Sequence, residues 1–264
     1  MSSPNEEPAN VPEPGPEPLY PNISDVLKTR HVLRWKIREE GLPMEIVDMI
    51  IDAAEYWPST EVRLGKRVVI RQDRDQELVR TVPLCFDEES LKSTNPKPLP
   101  HRQTHPCRKI VFSISAHDQG WGGTPQPSKF GGSYTWFDTE IIHNAHEIPR
   151  EPQDTAEKPP EQARHFEPSD PFLLPSVHKL QSNARAQREE QHYTIVWHHL
   201  DNIRADSSEA EEIENSQGRG RATLDGSKVR DLEVGDSVAV WGRARFGGWS
   251  NFVIRLNVRV FWVV

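Results

Sequence analysis

The 264 residues are only 35% hydrophobic, include 23 prolines and have a mean hydropathy of −0.71, so much of the chain must lie outside any core. A net charge of −8 makes nucleic acid an unfavoured partner, because that affinity rests on Lys and Arg neutralising phosphates. Two cysteines cannot build a disulfide framework, no stretch approaches the roughly 20 apolar residues of a membrane span, and the first 22 residues lack the apolar segment of a secretory signal, so the expected location is cytoplasmic or nuclear with no membrane partner.

Residues 1–22 hold seven prolines and four glutamates and no basic residue, a composition that reads as a disordered tail. From Ile23 the pattern becomes helical. Ser24 is placed to cap a first helix running to about Glu40, with Val26, Leu27, Leu33 and Ile37 on one face and Gly41 at its stop. Pro43 suits the first turn of a second helix, in which Ile46, Val47, Ile50, Ile51 and Ala54 form one apolar stripe that Pro58 ends.

From about Val62 the period changes to two. Strands are expected at 67–71, 79–86, 109–116, 133–142, 192–200, 220–224, 237–245 and 251–264, with Pro83 restricting the second to a sheet edge. The last is the most apolar stretch of the chain and should lie centrally in a sheet. Proline-rich or acidic segments at 93–106, 148–175 and 206–217 interrupt this series, the last two reading as disordered loops. The expectation is a mainly β fold: an antiparallel β-sandwich over 62–264, preceded by a two-helix element at 23–58. Charge divides along the same boundaries. Residues 1–60 carry 11 acidic and 5 basic side chains, whereas 218–264 carry 4 and 8.

Leu42-Pro43-Met44-Glu45-Ile46-Val47-Asp48-Met49-Ile50-Ile51 resembles the opening helix of the F-box, over about 13 residues. That resemblance implies docking on the adaptor of a ubiquitin ligase through Leu42, Pro43, Glu45, Ile46, Val47, Ile50 and Ile51, as an amphipathic helix lays its stripe in a partner groove. An F-box continues with two more helices, whereas here Tyr56-Trp57-Pro58 leads into strand-like sequence. The alternative is that both helices pack their stripes on each other and on the β-domain.

Ser113 to Ala116 lead into His117-Asp118-Gln119-Gly120-Trp121-Gly122-Gly123, and Gly131-Gly132 open the aromatic run Ser133-Tyr134-Thr135-Trp136-Phe137-Asp138. This strand-loop-strand pattern resembles that of galactose-binding-like β-sandwiches of jelly-roll form, and of a group of uncharacterised fungal proteins. The resemblance implies a carbohydrate-like or protein ligand at the loops, with Asp118, Gln119, Trp121, Tyr134 and Trp136 as candidate contacts. Planar amides and carboxylates suit hydroxyl groups, and an aromatic face suits C–H surface. Alternatively Trp121 plugs the end of the sandwich and Asp118 accepts backbone N–H groups in a turn. Arg243, Arg245, Trp249 and Asn251, around a Gly247-Gly248 hairpin, are candidates for a second wall of the cleft, guanidinium forks being suited to carboxylate or phosphate.

His101-x-x-x-His105-x-Cys107, His143-x-x-His146 and His198-His199 have ligand types that suit zinc, but no set of four is visible, and no metal or cofactor is expected. No nucleophile elbow, P-loop or dinucleotide fingerprint is present. The function expected is non-catalytic recognition. The rival readings are an enzyme on a jelly-roll scaffold using His117, Asp118 and Asp138, and a structural protein whose helices mediate assembly.

Overall fold

The computed structural model describes residues 20–37, 39–124, 126–148 and 165–264. The readings of disorder over 1–19 and 149–164 lie outside the described residues. The first elements among the described residues are α1 (Ile23–Trp35) and α2 (Met44–Ala53). Nine strands follow among the described residues: β1 (Ser59–Arg63), β2 (Val68–Arg71), β3 (Gln76–Arg80), β4 (Cys107–His117), β5 (Thr135–Ile142), β6 (Lys179–Ser182), β7 (Gln191–His198), β8 (Ser237–Ala244) and β9 (Ser250–Trp262). Two further helices, α3 (Ser208–Gln217) and α4 (Ser227–Arg230), lie between β7 and β8. Among the described residues no helix is long and apolar enough to cross a membrane.

The strands form two antiparallel sheets, a β-sandwich arrangement. The larger runs β1-β9-β4-β7, with β2 also paired to β9, and the smaller runs β3-β8-β5-β6. Alternation explains the core between them. Ile110, Phe112 and Ile114 of β4, Leu256, Val258 and Val260 of β9, and Ile195 and Trp197 of β7 turn inward from the larger sheet, and Phe137, Val238 and Val240 from the smaller. β9 has neighbours on both sides, as its apolar content predicts, and β3, which stops short of Pro83, is an edge strand.

The local differences from expectation have local causes. The first helix starts two residues earlier and ends sooner. Asn22, not Ser24, is its cap: the Asn22 side chain accepts the Asp25 N–H at 3.0 Å, and the Asp25 carboxylate accepts the Asn22 N–H at 3.3 Å. The acidic segment 206–217, expected to be a disordered loop, is helical. Ser207 Oγ caps the Ala210 N–H at 3.1 Å, and Lys179 and Arg221 flank Glu214, which offsets the repulsion within the run. The strand expected at 220–224 is a tight turn instead. Only Arg219 bridges Gln181 of β6 before Thr223 turns its N–H and hydroxyl onto the Gly220 carbonyl. β1 and β6 carry too few apolar residues to announce themselves, and β6 is buried through hydrogen bonding, with Gln181 Nε2 donating to the Ser182 and Gln217 carbonyls.

Candidate functional site

Two regions gather the residues singled out by sequence. The first is the helical pair. α2 turns Val47 and Ile51 into the core at 0% and 2% exposure, and Leu42 is half-buried against the same cluster. Pro43 and Glu45 are exposed, and so are Ile46 and Ile50. Two residues that the sequence reading did not select, Met44 and Met49, complete this outer face, Met49 being 66% exposed. The signal for Met49 was its position, three residues after Ile46 and beside Ile50, which puts the three on one helical face. Val47 and Ile51 are therefore corrected from docking residues to core residues, because the helix has apolar side chains on two faces and the sandwich takes one.

α1 adds Leu27, Val32 and Trp35 to the exposed apolar surface. Between α1 and the loop at Leu99 and Pro100 lies an open apolar groove of about 800 Å³, lined by Ile23, Leu27, His31, Val32 and Leu99. Ion pairs hold the pair in place. Arg30 of α1 meets Asp48 of α2, Arg102 reaches both Asp48 and Asp52, and Trp57 Nε1 donates to Asp52 at 3.0 Å. Beside them Glu55 accepts Lys109 and lies 3.3 Å from His198 Nε2. These contacts hold the Glu55 carboxyl below the usual range, the Lys109 bond being the largest cause.

The second region is the loop end of the sandwich, and most of its predicted ligand contacts are internal. Asp118 is 0% exposed and accepts the N–H groups of Gly120 at 2.7 Å and Ala186 at 2.6 Å. Burial pushes its carboxyl up, and these backbone donors pull it back. Gln119 is spent on the loop itself, with Oε1 accepting the Ser250 N–H at 3.1 Å and Nε2 donating to the Trp121 carbonyl. Trp136 is fully buried and donates to Asp138 at 2.8 Å. Asn251, also fully buried, donates to the Trp136 and Arg243 carbonyls and accepts from Asn183 at 2.9 Å.

Arg243 and Arg245 are not cleft walls. Arg243 pairs with Asp138 at 3.0 Å and with Asp75, and Arg245 grips Asp75 with two nitrogens and the Phe172 carbonyl with two. Phe166 lies over the Arg245 guanidinium at 3.8 Å, and Phe172 over that of Arg243 at 5.1 Å. Asp75, the acid that joins the two arginines, escaped the sequence reading because it lies 168 and 170 residues from them. Asp118, Trp136, Arg243, Arg245 and Asn251 are thus corrected from ligand contacts to internal supports.

What remains at this end is an aromatic rim. Trp121 is 61% exposed, and its indole rides over Gly248, where an added Cβ would fall 2.6 Å from the ring. Tyr134 meets Phe246 and Trp249 edge-on, at centroid separations of 4.5 and 5.2 Å, and Phe246 is itself exposed. Trp249 is buried beneath them. Phe246 was missed, and its signal was adjacency to the Gly247-Gly248 turn.

The acid–base set divides in the same way. The His117 ring stacks on Phe252 at 4.8 Å, the Asp118 carboxylate caps its own loop, and Asp138 is committed to Trp136 and Arg243. Burial pushes the Cys107 thiol up to about 12 and raises that of Cys85 further, so both sulfurs stay protonated at neutral pH. Among the described residues no three His, Cys, Asp or Glu side chains gather to hold a metal ion. Set against known proteins, the chain matches no family model, no curated protein and no solved structure.

Proposed function

We propose that this is a non-catalytic recognition protein that docks a partner protein through the outer face of α2 and presents the rim of Trp121, Tyr134 and Phe246 to a carbohydrate-like or protein ligand. One observation carries the reading. α2 buries Val47 and Ile51, yet leaves Met44, Ile46, Met49 and Ile50 in solvent on a well-anchored helix. Clustered exposed apolar side chains on a rigid element mark an interaction site far better than scattered ones do.

The Leu42-Pro43 start and its likeness to an F-box helix favour the adaptor of a ubiquitin ligase as that partner, which would act in the cytoplasm or nucleus. The jelly-roll, galactose-binding-like form of the sandwich belongs to the same proposal, with the aromatic rim as its ligand end. Purified adaptor should be retained by the purified chain, and Met49→Asp with Ile50→Asp should weaken retention at least about tenfold, a loss of about 1.4 kcal/mol. Both positions are exposed, so the thermal transition should be unchanged. Failure of the unmodified chain to retain the adaptor sinks the assignment of that partner. For the rim, a glycan array compares the chain with Trp121→Ala, and identical profiles would count against a role in ligand binding.

A further inference from the structure

The outer face of the larger sheet is more positively charged than the whole chain. Where β9 turns Leu256, Val258 and Val260 inward, it turns Asn257 and Arg259 outward. The register sets Glu61 and Arg63 of β1 beside Arg259 and Asn257, and Val69 and Arg71 of β2 beside Phe252 and Ser250. Arg67, two residues before Val69, shares their side, and Arg67, Val69 and Arg71 are all exposed. Glu61 accepts Arg259 at 2.9 Å and Arg63 at 2.7 Å, and Arg255, also on β9, pairs with Glu190 at 3.3 Å. Arg67 and Arg71 make no ion pair among the described residues.

The chain reaches α1 across this same face. The Tyr20 ring meets Phe261 edge-on at 5.3 Å, and the Arg259 guanidinium lies 4.2 Å from its centroid. The 19 residues before Tyr20 contain Glu6, Glu7, Glu13 and Glu17, no Lys or Arg, and six prolines. Opposite charge, tethering at Tyr20 and length all agree. Nine residues of strand separate Arg259 from Ser250, about 30 Å, whereas 19 residues in a polyproline conformation span up to about 59 Å.

We propose that the acidic segment 1–19 docks in cis on the outer face of the β1-β9-β2 half of the larger sheet, its glutamates answering Arg67 and Arg71. Tethering makes the encounter intramolecular, and proline lowers the entropy lost on docking, so a few exposed ion pairs suffice.

The test uses the full chain with a nitroxide on the thiol introduced by Ala9→Cys. Cys85 and Cys107 are buried at 1% and 0% exposure, so labelling is selective. Amide signals of residues 67–71 and 257–259 should be lost to paramagnetic broadening. They should return in about 1 M salt, where the screening length falls to about 3 Å, and again when the four glutamates are changed to Gln. Arg67→Glu with Arg71→Glu should also restore them, and the glutamate variants keep the test valid should that pair unfold the sheet. Broadening concentrated on α1 and α2, broadening spread evenly over the molecule, or signals that stay lost in all the variants would overturn the proposal. So would a titration in which single-stranded RNA shifts these amides while the label leaves them untouched.

Discussion

Arg245 is fully buried, with Asp75 on one edge of its guanidinium, the Phe172 carbonyl on the other and the Phe166 ring on its face. Replacing it with Met leaves Asp75 with Arg243 alone. We expect Arg245→Met to cost about 3 kcal/mol, the low end for breaking a buried pair, measured by urea unfolding. Addition of Asp75→Asn should then cost less than the sum of the two single changes. His199 offers a different test. Burial, and after it the Arg108 guanidinium, pushes its imidazole down from 6.5 to about 4. Between those values the unfolded chain binds more protons than the folded one, so this contribution to stability is complete above pH 6.5 and is lost as pH falls towards 4. His199→Asn should flatten that part of the acid slope in melting temperature. At this scale, residue type was a good guide to which side chains matter and a poor guide to what they do. Arg243, Arg245 and Asn251 serve inside the molecule because their partners Asp75 and Asn183 come from distant segments that no local pattern names, whereas Asp118 joins the turn at Gly120 to the distant Ala186.

The helix of residues 208–217 depends on its flanks more than on its own composition, which is poor in apolar side chains and crowded with glutamates. Capping by Ser207 and the paired cations at Glu214 hold it against the turn at 218–224. That turn passes very close to β6. A Cβ at Gly220 would sit 1.7 Å from the Lys179 carbonyl oxygen, whereas nothing lies within 4 Å of one at Gly65. Gly220→Ala should therefore destabilise by about 3 kcal/mol by forcing the backbone apart, and Gly65→Ala should leave the urea midpoint nearly unchanged. Element types with strong periodicity were legible in advance: α2 from its stripe, and β4, β5, β8 and β9 from alternation. β1 and β6 were not, because a strand satisfied by cross-strand and side-chain hydrogen bonds needs no apolar pattern of its own.

The helical pair and the sandwich meet through polar contacts as well as the shared core. Arg102 is the hub: it reaches Asp48 and Asp52 of α2, donates from Nε to the Val264 carbonyl at 2.9 Å, and its N–H donates to the Val263 carbonyl. Arg102→Ala should cost about 2 kcal/mol. Amide hydrogen exchange should then quicken in α1 and α2 well before the inner strands β4 and β9, and equal acceleration everywhere would argue against a separable helical unit.

By itself the sequence determined the mainly β character, the helical leader, the turns at glycine and proline, and the stretches too polar or proline-rich for a central strand. These follow from periods of 2 and 3.6 residues and from backbone chemistry, which act over a few positions. Only the tertiary structure decided which faces are covered. Alternation along β8 and just past its end puts Arg243 and Arg245 on one side, but does not decide whether that side meets water or Asp75, Phe166 and Phe172. The stripe of α2 announced a buried face, but only packing shows that the sandwich takes Val47 and Ile51 and leaves Ile46, Met49 and Ile50 outside. The physical reason is the same in both cases. Burial belongs to pairs of surfaces, and the second surface lies far away in the chain.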